Sequence, residues 1–228
     1  MDGATEHEEG DSEGESKRVL FQLLEALYSL EQAGVTELAS HTGHPKSTVH
    51  YHLSALHENE FVVKQDGKYR LSLKFFDFGM KIVEGVEVRR VAKPALERLA
   101  NETGEVVWLL VEEHGLGVFL AHAVGDQGVE ARDRVGRRAP LHTHAAGKAI
   151  LANLPEKRIQ EIIDTRGLPA ETEHSITDVD ALRDELEQIR EQGHSFNDRE
   201  DLAATRAVGA PVIVDGNVVG GIGVGGPA

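Results

Sequence analysis

A short run of hydrogen-bond donors offers the most specific chemistry in this chain. Its members are one cation and several small or aromatic donors, all within six positions: Lys46, Ser47, Thr48, His50 and Tyr51. On the outer, N-terminal face of a helix, such groups reach phosphates and base edges in the major groove of DNA. Ser47 has a simpler alternative, since serine often caps a first helical turn. The run predicts a DNA-recognition helix; a small helical core without a DNA role is the alternative.

A second set has the residue types of a metal site or an acid–base pair. It comprises three histidines and acidic residues that could join them: His122, His142, His144, Asp126, Asp133 and Asp198. A His-x-His pair in an extended segment directs its rings to opposite faces, which disfavours chelation by that pair. His50 and His52, two positions apart on a helix, are equally unsuited to one ion. No metal, cofactor or catalytic residue is predicted, although a metal-dependent enzyme stays open as an alternative.

The elements around the donor run are those of a winged helix-turn-helix. A helix containing Val35 and Leu38 ends at Gly43, and a second helix over residues 45–59 carries the donors outside and apolar residues inside. Residues 61–71 then predict a β-hairpin, because Asp66-Gly67 supplies the positive φ that such a turn requires. This hairpin would be the wing, and Lys68 and Arg70 on it could contact DNA.

Composition separates this region from the rest of the chain. The net charge of −15 comes from residues 1–16 (−7) and 81–228 (−8), whereas residues 17–80 are neutral and hold five of the twelve histidines. The acidic excess with nine lysines against fifteen arginines is typical of proteins that stay soluble in concentrated salt. The absence of cysteine and of long apolar runs predicts an intracellular, cytoplasmic protein.

Four segments follow from these patterns. Residues 1–16 are acidic and expected to be disordered. A winged helix-turn-helix domain follows over 17–74, its first helix beginning near Ser16, and a helical linker over 75–91 carries an apolar stripe suited to a dimer contact. Residues 92–228 form the last domain: a helix ending at Gly104 with Pro94 in its first turn, a hairpin through His114-Gly115, three helices within 145–192 and two C-terminal strands.

Five further motifs, in order, resemble the IclR family of transcriptional regulators. After PKSTVH at Pro45–His50 they are LERLANETGE (Leu96–Glu105), RVGRRAPLHTHAAGKAILA (Arg134–Ala152), RGLPAETEHSITD (Arg166–Asp178), IREQGHSFNDRED (Ile189–Asp201) and APVIVDGNVVGGIGVGGP (Ala210–Pro227). The resemblance implies an α+β fold, with a winged helix-turn-helix joined to a GAF-like α/β effector domain whose sheet is mainly antiparallel. It also implies a homodimer or homotetramer on a pseudo-palindromic operator.

By the same resemblance, a small organic, sugar or aromatic acid binds where one helix begins against the last strands. The implied effector-binding residues are Ala145, Ala146, Asn197, Asp198, Ala207, Gly223 and Gly225. The chain departs from the family pattern at Tyr51, where arginine is common, and at Gly223 and Gly225, where members that bind small oxo acids tend to have hydroxyls. It also ends near Pro227, where members usually continue. A larger ligand, or a constitutive DNA binder without an effector, is therefore open beside the ligand-responsive regulator.

Overall fold

The computed structural model describes residues 5–128 and 134–228, and it divides into two compact units at the Ile82–Val83 bond. We call them the N-terminal and the C-terminal unit. Every strand pairing described is antiparallel, and helices and strands are segregated rather than alternating. The predicted α+β class is therefore confirmed.

The N-terminal unit packs three helices against a three-stranded sheet of order β1-β3-β2. Its elements are α1 (Thr5–Leu30), β1 (Ala33–Gly34), α2 (Val35–Thr42), α3 (Lys46–Glu58), β2 (Val62–Gln65) and β3 (Lys68–Leu71). The core contains Leu23, Leu38, Val49 and Leu53, all fully buried. This is the predicted winged helix-turn-helix architecture.

Local chemistry sets the turns of this unit. Gly43 ends α2 in the left-handed conformation, with φ 76°, and its N–H bonds to the Ala39 carbonyl. Asp66 (φ 51°) and Gly67 (φ 77°) both have positive φ, the combination that suits a two-residue hairpin turn. The predicted hairpin therefore forms, and it also recruits Ala33–Gly34 as a third strand that was not predicted.

Helix α1 differs from the expectation at its start. It begins at Thr5, so Ser16 lies inside the helix rather than at its cap, and residues 5–16, expected to be disordered, are helical. Four glutamates between residues 5 and 14 are good helix formers, and acids are favoured near a helix N-terminus. Residues 1–4 lie outside the described residues.

The predicted linker consists of two helices separated by a short break. Helix α4 spans Lys74–Glu84 and α5 spans Glu87–Thr103, so α5 begins before the predicted Ala92. Pro94 therefore lies inside α5, and the prediction that it occupies the first turn of the helix was wrong. Several large apolar side chains of α4 are exposed: Phe76, Phe78, Met80 and Ile82.

The C-terminal unit is built on a six-stranded antiparallel sheet of order β6-β5-β4-β9-β8-β7. The strands are β4 (Val106–Glu113), β5 (Leu116–Val124), β6 (Arg138–Pro140), β7 (Ser195–Asp198), β8 (Thr205–Val214) and β9 (Asn217–Pro227). The helices are α6 (Ala145–Ala152), preceded by a 3-10 turn at Leu141–Thr143, α7 (Glu156–Arg166) and α8 (Val179–Gln192). Helices α6, α7 and α8 share a core with Leu110 and Phe119, whereas α5 packs on the opposite sheet face.

Helix α6 sits directly on the sheet because glycines face it. A Cβ on Gly209 would come within 2.6 Å of the Ala146 nitrogen, and one on Gly221 would overlap the Ala146 carbonyl oxygen. Only glycine fits such an approach of backbone to backbone. The N-terminus of α6 is thereby brought against β8 and β9. Across the described residues, no helix is both long and apolar enough to cross a membrane.

Candidate functional site

The predicted recognition residues lie on the exposed side of α3. Lys46, Ser47, His50 and Tyr51 are exposed and Thr48 is half-buried, while the buried residues recur at helical spacing on the other face: Val49, His52, Leu53 and Leu56. Tyr51 is 70% exposed, a large fraction for an aromatic ring. Pro45 occupies the N-cap position and no side chain caps the helix, so the capping role considered for Ser47 is not observed.

The hairpin adds cations beside this helix within the same unit. Lys68 and Arg70 are both exposed and alternate with the buried Tyr69, so they lie on one outer face of β3. Arg70 donates a hydrogen bond to the neighbouring Leu71 carbonyl oxygen at 3.3 Å. Both side chains can extend towards a phosphate backbone.

His52, in contrast, is a core residue. Its side chain is buried, and burial lowers the pKa of its imidazole, with a smaller contribution from His44. His44 in turn hydrogen bonds to Gln22 at 2.7 Å, which ties the turn before α3 to α1. These two histidines position α3 rather than face a ligand.

The C-terminal unit contains a cavity of about 340 Å³ between the start of α6 and strands β4, β5, β8 and β9. Its walls include Val106, Trp108, Leu110, Phe119, Arg137, His144, Ala145, Ala146, Asn197, Asp201, Leu202, Thr205, Arg206, Ala207, Gly223, Gly225 and Pro227. Among the residues predicted for the effector site, all but Asp198 lie around this cavity. Such a volume suits a small organic molecule.

Aromatic rings form one wall. Trp108 and Phe119 meet edge to face with ring centroids 5.1 Å apart, and His144 meets Phe119 in the same manner at 5.3 Å. His122 lies outside, half-stacked on Trp108 at 4.5 Å. The floor beside this wall, on the sheet face that carries Trp108, has no side chains at Gly223 and Gly225, where an added Cβ would have only ordinary van der Waals contacts. The cavity is therefore a slot with one aromatic wall.

Burial sets the protonation state of His144. Its pKa is lowered to about 4, first by desolvation and then by the nearby Arg137 and His142, while Asp201 opposes the shift. Nδ1 lies 3.5 Å from Asp201 Oδ2, and Nε2 has no hydrogen-bond partner. The imidazole is thus neutral at physiological pH, and a buried nitrogen lacks a partner beside the slot.

Arg137 is the cation at this wall. Its guanidinium carbon lies 5.4 Å from the centroid of the Phe119 ring, and its Nη2 is 3.9 Å from Glu171 Oε1. The sequence prediction missed Arg137, Trp108 and Phe119. The RVGRRAPLHTHAAGKAILA motif contains Arg137, and Trp108 is the single tryptophan, so both offered a signal.

Asp198 does not line the slot. It is exposed on β7 and accepts hydrogen bonds from Arg206, at 2.7 Å, and Arg199, at 3.0 Å. These bonds lower the pKa of its carboxyl. Strand alternation explains the difference from Asn197, because successive side chains point to opposite sheet faces.

An ion cluster adjoins the slot on the side of α6 and α8. Lys148 in α6 is fully buried, and its Nζ contacts Glu185 of α8 and Glu200, the latter at 2.6 Å. Burial raises the pKa of Glu200, against the effect of Lys148, and Glu200 Oε2 has no partner. Glu200 adjoins Asp201, so Lys148 anchors the segment that closes one side of the slot.

The histidines considered for metal binding do not converge. His142 is buried with its Nε2 3.1 Å from the Pro169 carbonyl oxygen, His122 is exposed, and Asp126 is exposed. Asp133 lies outside the described residues. Throughout residues 5–128 and 134–228, no group of three metal-binding side chains is present.

These two units define a class of protein: a winged-helix DNA-binding unit followed by a unit with a small-molecule cavity. Residues 18–66 match the IclR helix-turn-helix domain, and residues 80–228 match the family described as "Bacterial transcriptional regulator IclR C-terminal". The chain belongs to the IclR family of transcriptional regulators, which confirms the resemblance.

Individual relatives agree with this assignment. The chain is 32% identical over 179 residues to the HTH-type transcriptional regulator KipR of Bacillus subtilis, covering 78% of this chain and 72% of that protein. The crystal structure of Thermotoga maritima IclR matches with a TM-score of 0.69 at 26% identity, over 96% of this chain and 88% of that one. An IclR homolog of Microbacterium hydrocarbonoxydans, complexed with 4-hydroxybenzoate, shares the fold with a TM-score of 0.78 at 22% identity, over 93% and 89% of the two chains.

Proposed function

We propose that this regulator binds a pseudo-palindromic operator through α3 and the β2–β3 wing, and that an organic acid in the slot modulates the binding. The observation that carries the proposal is the exposed donor face of α3, supported by a slot of ligand size in the other unit. Regulation of transcription is the family's function. We propose which residues of this chain perform that regulation.

At the DNA, roles follow from side-chain chemistry. Lys46, at the start of α3, would bond a phosphate or a guanine edge, and Ser47 and Thr48 would bond phosphate near the positive end of the helix dipole. His50 and Tyr51 would face the bases, and Lys68 and Arg70 of the wing would contact phosphates. Tyr51, exposed and largely apolar, suits contact with a thymine methyl group.

Two copies are needed for a palindromic site. Helix α4 exposes Phe76 (66%) and Ile82 (67%), an apolar surface that a second copy would bury. We therefore propose a homodimer with α4 in the contact and the two α3 helices about 34 Å apart, or a multiple of that. A dimer of such dimers would also satisfy the operator symmetry.

In the slot, the first turn of α6 supplies the anion site. The N–H groups of Ala145 and Ala146 begin a helix that no side chain caps, and the helix dipole favours a carboxylate there. The complex of the Microbacterium homolog with 4-hydroxybenzoate supports a carboxylate ligand for this fold. We propose no catalysis and no metal or cofactor, and cytoplasmic action as expected of a transcriptional regulator.

A constitutive DNA binder is the second candidate, favoured by the two glycines on the slot floor, which leave fewer polar contacts for a small acid. The two candidates differ in one measurement. Fluorescence anisotropy of labelled DNA from upstream of the gene should show sequence-selective binding at high salt, and an added acid should shift its Kd by at least tenfold. Selective binding that no organic acid shifts would leave the constitutive regulator; no selective binding would reject both.

A further inference from the structure

The polar side chains at the slot are already engaged with one another. Asn197 donates to the Thr143 carbonyl oxygen and to Asp201 Oδ1, both at 2.7 Å, and accepts from the Glu200 N–H at 2.9 Å. Thr205 Oγ1 lies 3.1 Å from its acceptor, the Leu202 carbonyl oxygen. Asp201 also faces His144. Both amide hydrogens of Asn197 are therefore used, and little hydrogen-bonding capacity remains for a ligand.

The backbone of the floor is equally engaged. Gly223 pairs with Trp108 on one side and Gly209 on the other, and Gly225 pairs with Val106 and Ala207. Arg206 is bonded to Asp198, 2.7 Å away. A polyhydroxylated ligand would thus exchange its bonds to water for few bonds in the slot, and each hydroxyl left unpaired weakens binding roughly tenfold.

What the slot does offer is one anion site and one ring site. The anion site is the start of α6, which no side chain caps, together with Arg137, which lines the same slot and lies 3.9 Å from Glu171. His144 adds a second indication of a ligand here, because its side chain is 8% exposed and its Nε2 has no partner. The ring site is the space above Gly223 and Gly225, beside the ring of Trp108 on the same sheet face and next to Phe119, where offset or edge-to-face aromatic contacts are favourable.

We propose that the effector is a flat aromatic monocarboxylate of one or two rings, rather than a sugar acid. Its carboxylate binds the Ala145 and Ala146 N–H groups and Arg137, and its ring lies against Trp108 and Phe119. This inference rests on the proposed function, since it names the ligand class for the same slot. Arg137 is assigned as a specificity-determining residue that selects the charged acid.

The first test uses the full chain and three probes: 2-naphthoate, its neutral amide 2-naphthamide, and gluconate. Trp108 is the only tryptophan, so quenching of its fluorescence reports occupancy of the slot, and calorimetry checks the affinity. Naphthoate is expected to bind, naphthamide at least tenfold more weakly, and gluconate not measurably. Gluconate binding within tenfold of naphthoate, an amide as tight as the acid, or no binding of any probe would each overturn the inference.

The second test uses matched arginine variants. Arg137→Gln should weaken naphthoate about tenfold and leave naphthamide unchanged. Arg138→Gln is the control, because that neighbouring arginine does not line the slot and donates to the Glu113 carbonyl instead. Equal losses in both variants, or none in Arg137→Gln, would contradict the role given to Arg137.

A blocking variant locates the site. Gly223→Leu should fill the slot and abolish naphthoate binding in a protein whose thermal unfolding stays cooperative; binding that survives would overturn the inference. The proposed function is tested separately by operator binding of the wild type without any acid. If the protein binds naphthoate but no operator, the DNA assignment alone is rejected. If it binds the operator but none of the three probes, the aromatic acid alone is rejected.

Discussion

The polar side chains of the two units differ in whether they face solvent or bond to one another. On α3, the donors Lys46, Ser47, His50 and Tyr51 are exposed and face solvent, whereas the polar groups of the slot, such as Asn197 and Asp201, are bonded to each other. The first arrangement leaves many groups free for a polar polymer. The second leaves a mainly apolar space, in which we expect the selectivity proposed above to come from shape and from one charge.

The largest expected effect is a loss of stability of the C-terminal unit when its buried lysine, Lys148, is replaced. Lys148→Met removes the cation from between Glu185 and Glu200, and leaves the buried Glu200 and the half-buried Glu185 without that partner. We expect the C-terminal unit to lose about 3–5 kcal/mol of stability. Urea unfolding followed by Trp108 fluorescence measures it.

The exposed Lys157→Met serves as control for that change. Adding Glu200→Gln to Lys148→Met should restore part of the loss, because it neutralises one buried carboxylate. A Lys148→Met protein as stable as Lys157→Met would show that the buried cluster contributes nothing.

Next in size is the loss of DNA binding on the other unit. Lys46→Ala, Thr48→Ala and Tyr51→Ala together should weaken the operator at least ~100-fold, since phosphate and base contacts are each worth roughly 1–3 kcal/mol. Anisotropy titration measures the loss, and naphthoate quenching of Trp108 in the same protein should not change. If a folded triple variant kept its operator affinity, α3 would not be the recognition helix.

Acid pH should lower the stability of the C-terminal unit through the buried His144. The folded pKa of His144 is depressed to about 4 from an ordinary value near 6.5, so its contribution to stability is complete above pH 6.5 and is lost as pH falls towards 4. At pH 5 the loss is about 2 kcal/mol, at 1.36 kcal/mol per pH unit. Denaturant unfolding at pH 7.5 and 5.0, followed by Trp108, measures it.

His144→Gln should lose less stability than the wild type over the same pH interval, because glutamine does not titrate. The buried His142, whose pKa is also lowered by burial, keeps its share of the acid sensitivity in both proteins. A variant with the full wild-type loss would assign the effect to other groups.

The smallest expected effect concerns salt. Lys68→Ala should lower the slope of log affinity against log salt by about 1, since one phosphate contact is lost. Tyr51→Phe removes no charge and should leave that slope unchanged. Binding that falls steeply from 0.5 to 2 M KCl would contradict the adaptation to concentrated salt inferred from the acidic composition.

The sequence predicted the N-terminal unit better than the slot, for a physical reason. The winged helix-turn-helix is set by neighbours in the chain: Gly43, the periodicity around Val49 and the Asp66-Gly67 turn. The slot joins segments far apart, and only tertiary packing brings Arg137 and Trp108 to Ala146. The motifs indicated its floor and the start of α6, but strand alternation, invisible without the register, excludes Asp198.

Two other features could not be derived from local patterns. Pro94 fits the first turn of a helix by propensity, but packing of α5 on the sheet extends that helix seven residues before it. Lys148 lies in the apolar run AAGKAILA, and its partners come from α8 and from the segment after β7, so only the fold shows that the charge is buried and paired.

The two glycines that face the start of α6, Gly209 and Gly221, have a consequence for how the specificity of this protein can be changed. Because Gly209 and Gly221 let the start of α6 approach the sheet by backbone contact, the proposed carboxylate site does not depend on the identity of the surrounding walls. If that site binds an acid as proposed, we expect substitutions at Trp108, Phe119 or Gly223 to change which acid is bound without moving the start of α6. A biosensor library built on this chain should therefore vary those three positions and hold the two glycines constant.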